Sequence, residues 1–237
     1  MEIPSVTASA LKILRDNIII GYLKPGEKLN ESDISGYLNI SRPPLREAFR
    51  LLENENLVVN IPRRGTYVSE MSARGFIDIM QLREMIECYA MDLLKSARIK
   101  DLPQVKLSLD KALALPPITK KADPFQLLKR FEIVVDFHKI LVESAGNPLL
   151  NSLFQSSTYE LARYQFLYFQ INGTEHHSLE NHQLTLDLIK NGKYEKAKKK
   201  LKEHIHFAQN LMASTFEVEL RKHQKIQKRK DFILKSL

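Results

Sequence analysis

Cysteine occurs once in the 237 residues, at Cys88, which excludes an intramolecular disulfide and a cysteine-ligated zinc finger. Glycine (8) and proline (10) are too scarce for a low-complexity chain. Long apolar runs are missing as well. Stretches such as Ile18-Ile19-Ile20 fall far short of the roughly 20 residues that cross a bilayer, so no membrane partner is expected. Met1-Glu2-Ile3-Pro4 carries neither the basic nor the apolar region of a secretory leader, and a protein of the reducing cytoplasm is expected. What is present is ordinary globular composition, 43% hydrophobic and 27% charged, at a length suited to one or two domains.

The formal net charge is +8, which invites a nucleic-acid reading. Its distribution tempers that. Residues 1–72 are neutral overall, residues 73–189 carry −1, and residues 190–237 carry +9. The excess is C-terminal, so a DNA-binding argument has to rest on local arrangement.

Three regions separate by pattern: 1–72, 73–212 and a basic tail, 213–237. In the first, Ala10, Leu11, Leu14, Ile18 and Tyr22 recur at helical spacing through Val6–Gly21. Leu23-Lys24-Pro25-Gly26-Glu27 reads as a turn. Asn30 is placed to cap a short helix bearing Ile34 and Leu38. Ser41 is placed to cap the next, which tolerates Pro43 and Pro44 in its first turn and runs to about Asn54. Leu57–Asn60 and Thr66–Val68, around Pro62-Arg63-Arg64-Gly65, read as a hairpin with a basic tip. Three short helices and such a hairpin make a winged helix-turn-helix.

From about Ala73 the pattern is helical throughout, with helices expected at about 77–97, 104–113, 124–144, 149–170, 178–190 and 194–212. The expected class is therefore mainly α.

Arg42, Arg46 and Arg50 lie at i, i+4 and i+8, on one helix face away from the apolar one. Arginine on a helix entering the major groove can bond bidentately to guanine, and a capped helix start can meet a phosphate. Arg63 and Arg64 at the hairpin tip can reach phosphates or the adjacent minor groove. Taken alone, the stripe is better read as a solvated arginine face, with Glu47 pairing Arg50. The order of the three elements favours DNA.

At these residues the chain resembles the GntR family of bacterial transcription regulators. The matching run is Ile18…Gly21-Tyr22-Leu23-Lys24-Pro25-Gly26-Glu27-Lys28-Leu29, Glu31, Ser41-Arg42-Pro43-Pro44-Leu45-Arg46-Glu47-Ala48, Leu52-Glu53 and Arg64-Gly65-Thr66-Tyr67-Val68. The resemblance implies contact with double-stranded DNA through Ser41, Arg42, Pro43, Arg46, Arg50, Arg63, Arg64 and Gly65. Pro43 stands where many relatives carry Thr, which removes a hydroxyl and an N–H donor.

Seven histidines are scattered along the chain. Spacing alone leaves His138, His182 and His204 as separated surface or core residues. The C-terminal half, however, resembles the all-helical FCD branch of the same family. Phe137-His138, Gly146-Asn147-Pro148-Leu149, Ser178-Leu179…His182 and Ala197…His204-Ile205 occur in its order, with Arg83, Glu87 and Ala90 in the opening helix. The resemblance implies a divalent metal, zinc or nickel, on His138, His182 and His204 beside a pocket for a small carboxylate effector. The family's fourth ligand, usually Asp or Asn one turn before the first His, is Val134 here. Asp136 lies about 200° away around the helix and is no obvious substitute. Arg83 and Arg163 are the candidate effector cations. His176, His177, His206 and His223 match no ligand position and are expected at the surface. Tyr159, Tyr164, Phe166 and Tyr168 are expected to pack in the core.

The expectation is thus a homodimeric repressor on a pseudo-palindromic operator, controlled by a carboxylic acid. The alternatives are a metal-dependent hydrolase and an effector-independent architectural DNA-binding protein.

Overall fold

The structure is a computed structural model that describes residues 5–116, 123–171 and 173–224. Among the described residues it has nine helices and three strands: α1 Val6–Ile19, β1 Lys28–Leu29, α2 Glu31–Leu38, α3 Arg42–Asn54, β2 Val58–Ile61, β3 Gly65–Val68, α4 Ala73–Ser96, α5 Pro103–Leu113, α6 Pro124–Ser144, α7 Pro148–Phe169, α8 Thr174–Lys190 and α9 Tyr194–Gln224. The class is mainly helical, with a small antiparallel sheet near the N-terminus. No helix among them is long and apolar enough to cross a membrane. By contacts the chain forms two units, one from residues 1–72, 156–163 and 217–237, the other from 73–155 and 164–216.

In the first unit, α1 starts where the Ser5 hydroxyl accepts from Ala8 N–H. Asn30 caps α2 by accepting from Ser32 N–H. That helix ends at Asn39, which takes a left-handed φ of 51°. Leu14, Ile18, Leu38, Leu45, Phe49, Leu52 and Leu57 close one apolar core. The core holds α3 by its inner face, so its outer face is free to carry charge.

β2 and β3 form the expected hairpin, in register Val58↔Val68 to Ile61↔Gly65. Its tip is a turn in which Arg64 N–H donates to Ile61 C=O at 2.9 Å, with Pro62 first in the turn and Arg63 at φ 65°. Two residues after the Pro-Gly turn, β1 pairs with β3, Lys28 opposite Tyr67, and extends the sheet to the order β1-β3-β2. A two-residue strand carries too little alternation to be read from sequence.

Ser41 stands at the N-cap of α3 as expected, but its side chain makes no cap bond. The amides it would accept from belong to the second and third helical residues, Pro43 and Pro44, which have no N–H. The same two prolines remove half of the four amides that a helix start can offer an anion.

In the second unit, Asp123 and Gln126 form a capping box on α6 that sequence reading missed, and Asn147 caps α7. α8 begins at Thr174, four residues before the expected start. There the buried Thr174 hydroxyl donates toward Ile171 and Tyr168 carbonyls at 2.7 and 2.9 Å. α9 continues past Met212 to Gln224, because Phe216 and Leu220 prolong the buried stripe at four-residue spacing. Of the basic tail, Lys228-Arg229-Lys230 lie outside the described residues.

Replacing Asn30 by Ala should cost about 1 kcal/mol of stability in chemical denaturation. Ser41→Ala, which removes a hydroxyl that caps nothing, should cost less than about half of that.

Candidate functional site

Two groups of side chains concentrate polar chemistry, one in each unit. On α3, Arg42, Arg46 and Arg50 are all exposed along one face, while Leu45, Ala48, Phe49 and Leu52 are buried on the other. Arg46 Nε donates to Glu31 Oε2 of α2 at 2.9 Å. Arg50 is gripped by Glu47 through two hydrogen bonds of 3.0 and 2.6 Å, which lowers the Glu47 pKa and raises that of Arg50. These pairs orient the guanidiniums yet lie in solvent, so an incoming phosphate or base edge can displace them at little cost. Ser41, Pro43, Arg63, Arg64 and Gly65 are exposed too.

The second group is buried. His138 of α6, His182 of α8 and His204 of α9 come together with a ring nitrogen of each within 4.8 Å of the others. None is more than 4% exposed. α4 adds Arg83 and Glu87, one turn apart and equally buried. Arg83 Nε donates to Glu87 Oε1 at 2.6 Å. Glu87 Oε2 lies 2.8 Å from His138 Nδ1. A carboxylate can only accept, so that nitrogen carries the proton and the His138 Nε2 lone pair faces inward.

Two groups approach this lone pair, Arg83 Nη2 at 2.6 Å and His182 Nε2 at 2.9 Å. Phe137 stacks on His182 at 4.2 Å and fixes its ring plane. Burial pushes all three histidine pKa values well below the ordinary imidazole value, and the Arg83 charge lowers each further. The rings are therefore neutral, the form that ligates metal. Nδ1 of both His182 and His204 has no hydrogen-bond partner among the described residues. Converging neutral imidazoles, one oriented by a carboxylate behind it, fit a divalent ion such as zinc or nickel.

A small, partly open cavity adjoins the three rings. Its polar lining comes from Arg83, Gln165, Tyr168 and Ser178 with the histidines, and its apolar lining from residues such as Phe131 and Val134. Burial raises the Tyr168 pKa.

Of the expected effector cations, Arg83 lines this cavity and Arg163 does not. Arg163 is buried, with Nη2 donating to the Ser69 carbonyl at 2.9 Å. Asp136 is exposed, on the far side of α6 from the histidines. His176 and His206 are exposed, paired with Glu180 and Glu84. His177 is half-buried against Phe207, at 3.9 Å between ring centroids, and the His223 side chain lies outside the described ones. Glu87, Gln165, Tyr168 and Ser178 were not foreseen as site residues. The i, i+4 spacing of Arg83 and Glu87 was the one available hint.

Residues 7–68 match the profile of "Bacterial regulatory proteins, gntR family", and residues 78–207 match that of the FCD domain. The chain is similar to the HTH-type transcriptional repressor RspR of Escherichia coli (strain K12), at 26% identity over 172 residues, 69% of this chain and 70% of that one. It is similar to the gluconate operon transcriptional repressor of Bacillus subtilis (strain 168), at 25% identity over 185 residues, 75% and 72% of the two chains. Among solved structures, a putative transcriptional regulator GntR from Rhodococcus sp. RHA1 superposes with a TM-score of 0.70 at 25% identity, covering 88% of this chain and 97% of that one.

Glu87→Ala should destabilise the helical unit by about 3–5 kcal/mol, since it strands a buried guanidinium. Urea unfolding followed by circular dichroism reads this directly.

Proposed function

The chain belongs to the gntR family of bacterial regulatory proteins, in its FCD branch, and from that membership we propose a repressor released or recruited by a small metal-bound carboxylic acid. It is a DNA-binding transcription regulator, and relatives named for their function are repressors rather than enzymes, which sets the hydrolase alternative aside.

In this reading residues 1–72 are the DNA-reading head, residues 73–212 the effector and dimerisation domain, and residues 213–237 a basic tail. A homodimer presents two heads to a pseudo-palindromic operator. Arg46, exposed in mid-helix, reads a base edge. Arg42, Arg50, Arg63, Arg64 and the Gly65 backbone position the head on phosphates. Ser41 joins them, because its hydroxyl is not used by its own helix, while Pro43 contributes shape alone.

The observation that carries the effector half is the buried His138–His182–His204 cluster opening on a cavity with Arg83 in its wall. His138 Nε2 and one nitrogen each of His182 and His204 would hold zinc or nickel. A divalent ion there supplies a Lewis acid to a carboxylate oxygen. Arg83 pairs the carboxylate and Glu87 holds both Arg83 and His138 in place. Binding alters DNA affinity only to the extent that the acid prefers one of two states of the dimer. An architectural protein without an effector would have no use for a cavity walled by a buried arginine and three histidines.

Elemental analysis of purified wild type beside His182→Ala tests the metal. About one zinc or nickel per chain, lost in the variant, is expected; no metal after loading and desalting overturns it. For the head, Arg46→Ala should cost about 1–3 kcal/mol on the cognate operator in anisotropy titrations, with a smaller loss on random DNA. Equal losses would reduce Arg46 to a phosphate contact.

A further inference from the structure

We propose that this site takes up its divalent metal and a dicarboxylate as a unit, each poorly alone, and that Arg83 and Val134 are the residues that impose the coupling. The inference rests on the metal reading above and adds the charge of the ligand and the interdependence of loading.

The first observation is a competition for one lone pair. Glu87 holds the proton of His138 on Nδ1, so Nε2 is the nitrogen left to ligate. Arg83 Nη2 sits 2.6 Å from that same atom. A metal can take the nitrogen only if this end of the guanidinium turns into the cavity, where Gln165, Tyr168 and Ser178 offer only neutral acceptors. No acidic side chain is among the described residues lining the cavity. The anion that receives the released N–H groups must arrive with the ligand.

The second observation is the charge balance. Arg83 and Glu87 cancel, and an imidazole that ligates a metal does so in its neutral form and adds nothing. A divalent ion then leaves two positive charges uncompensated in a site whose residues are at most 4% exposed. Burial on those terms is costly without counter-charge. The chain offers none on the nearest face: Val134, one turn before His138, presents an apolar side chain to the cavity. Two negative charges on one small molecule restore neutrality, one carboxylate at the metal and the other at Arg83. The apolar wall of Phe131, Phe169 and Met80 suits the carbon chain between them.

Zinc affinity of the full chain, measured by competition with a chromophoric chelator at buffered free zinc, is the test. Succinate should tighten zinc binding about tenfold or more, with a much smaller gain from acetate. By linkage, zinc should tighten succinate by the same factor. Val134→Asp, confirmed folded by circular dichroism, should bind zinc more tightly without acid and lose most of the succinate gain. Zinc binding that is equally tight with and without succinate overturns the coupling and leaves the metal site standing. A succinate gain undiminished in folded Val134→Asp overturns the charge argument. No uptake of zinc under any condition, in wild type as in His182→Ala, overturns the metal site and the coupling together.

Discussion

A fully buried carboxylate, Glu87, sets the state of everything around it in the helical unit. One oxygen holds Arg83 and the other holds His138. From those two contacts follow the histidine tautomer, the direction of its free lone pair and the placement of a guanidinium in the cavity wall. Such an arrangement is expensive. Buried ionic groups are often no more stabilising than apolar residues of the same volume. That a helical core keeps Arg83, Glu87 and three histidines where aliphatic packing would serve stability as well points to a ligand-binding role rather than a structural one.

The head is governed by a different constraint, the absence of two amides. Pro43 and Pro44 start α3 with φ already near its helical value, so the helix begins sharply. The same residues leave the Ser41 hydroxyl without a capping role and reduce the helix start as an anion site. In the proposed reading the arginines then supply most of the attraction to phosphate. They are held ready by exposed ion pairs to Glu31 and Glu47, which orient them but yield easily in salt or to a stronger anion. Arg63 at the wing tip occupies a left-handed conformation that costs a non-glycine residue energy.

Local pattern carried most of the helical architecture. The starts of α1, α3 and α6 and the ends of α3, α5 and α8 fell where caps, prolines and apolar periodicity placed them. The misses have local causes. β1 has only two residues, α8 starts on a threonine whose hydrogen bonds run backward, and α9 outlasts its expected end by two buried positions, Phe216 and Leu220. Function was legible unevenly. The arginine stripe and basic wing are contiguous in sequence and could be read as one surface. The histidines could not, because spacings of 44 and 22 residues say nothing about distance in space.

The chain's own order of residues dictated which faces are apolar, where helices stop and which side chains are candidates, because these depend on neighbours within a turn or two. The packing of α4, α6, α8 and α9 settled which candidates meet. It brought His138, His182 and His204 to within 4.8 Å, recruited Glu87 and placed Arg83 over a lone pair. It also spent Arg163 on a backbone carbonyl. Arg83 and Arg163 look alike in sequence, since each is an arginine in an amphipathic helix. They differ in what lies across from them, which is a property of long-range packing alone.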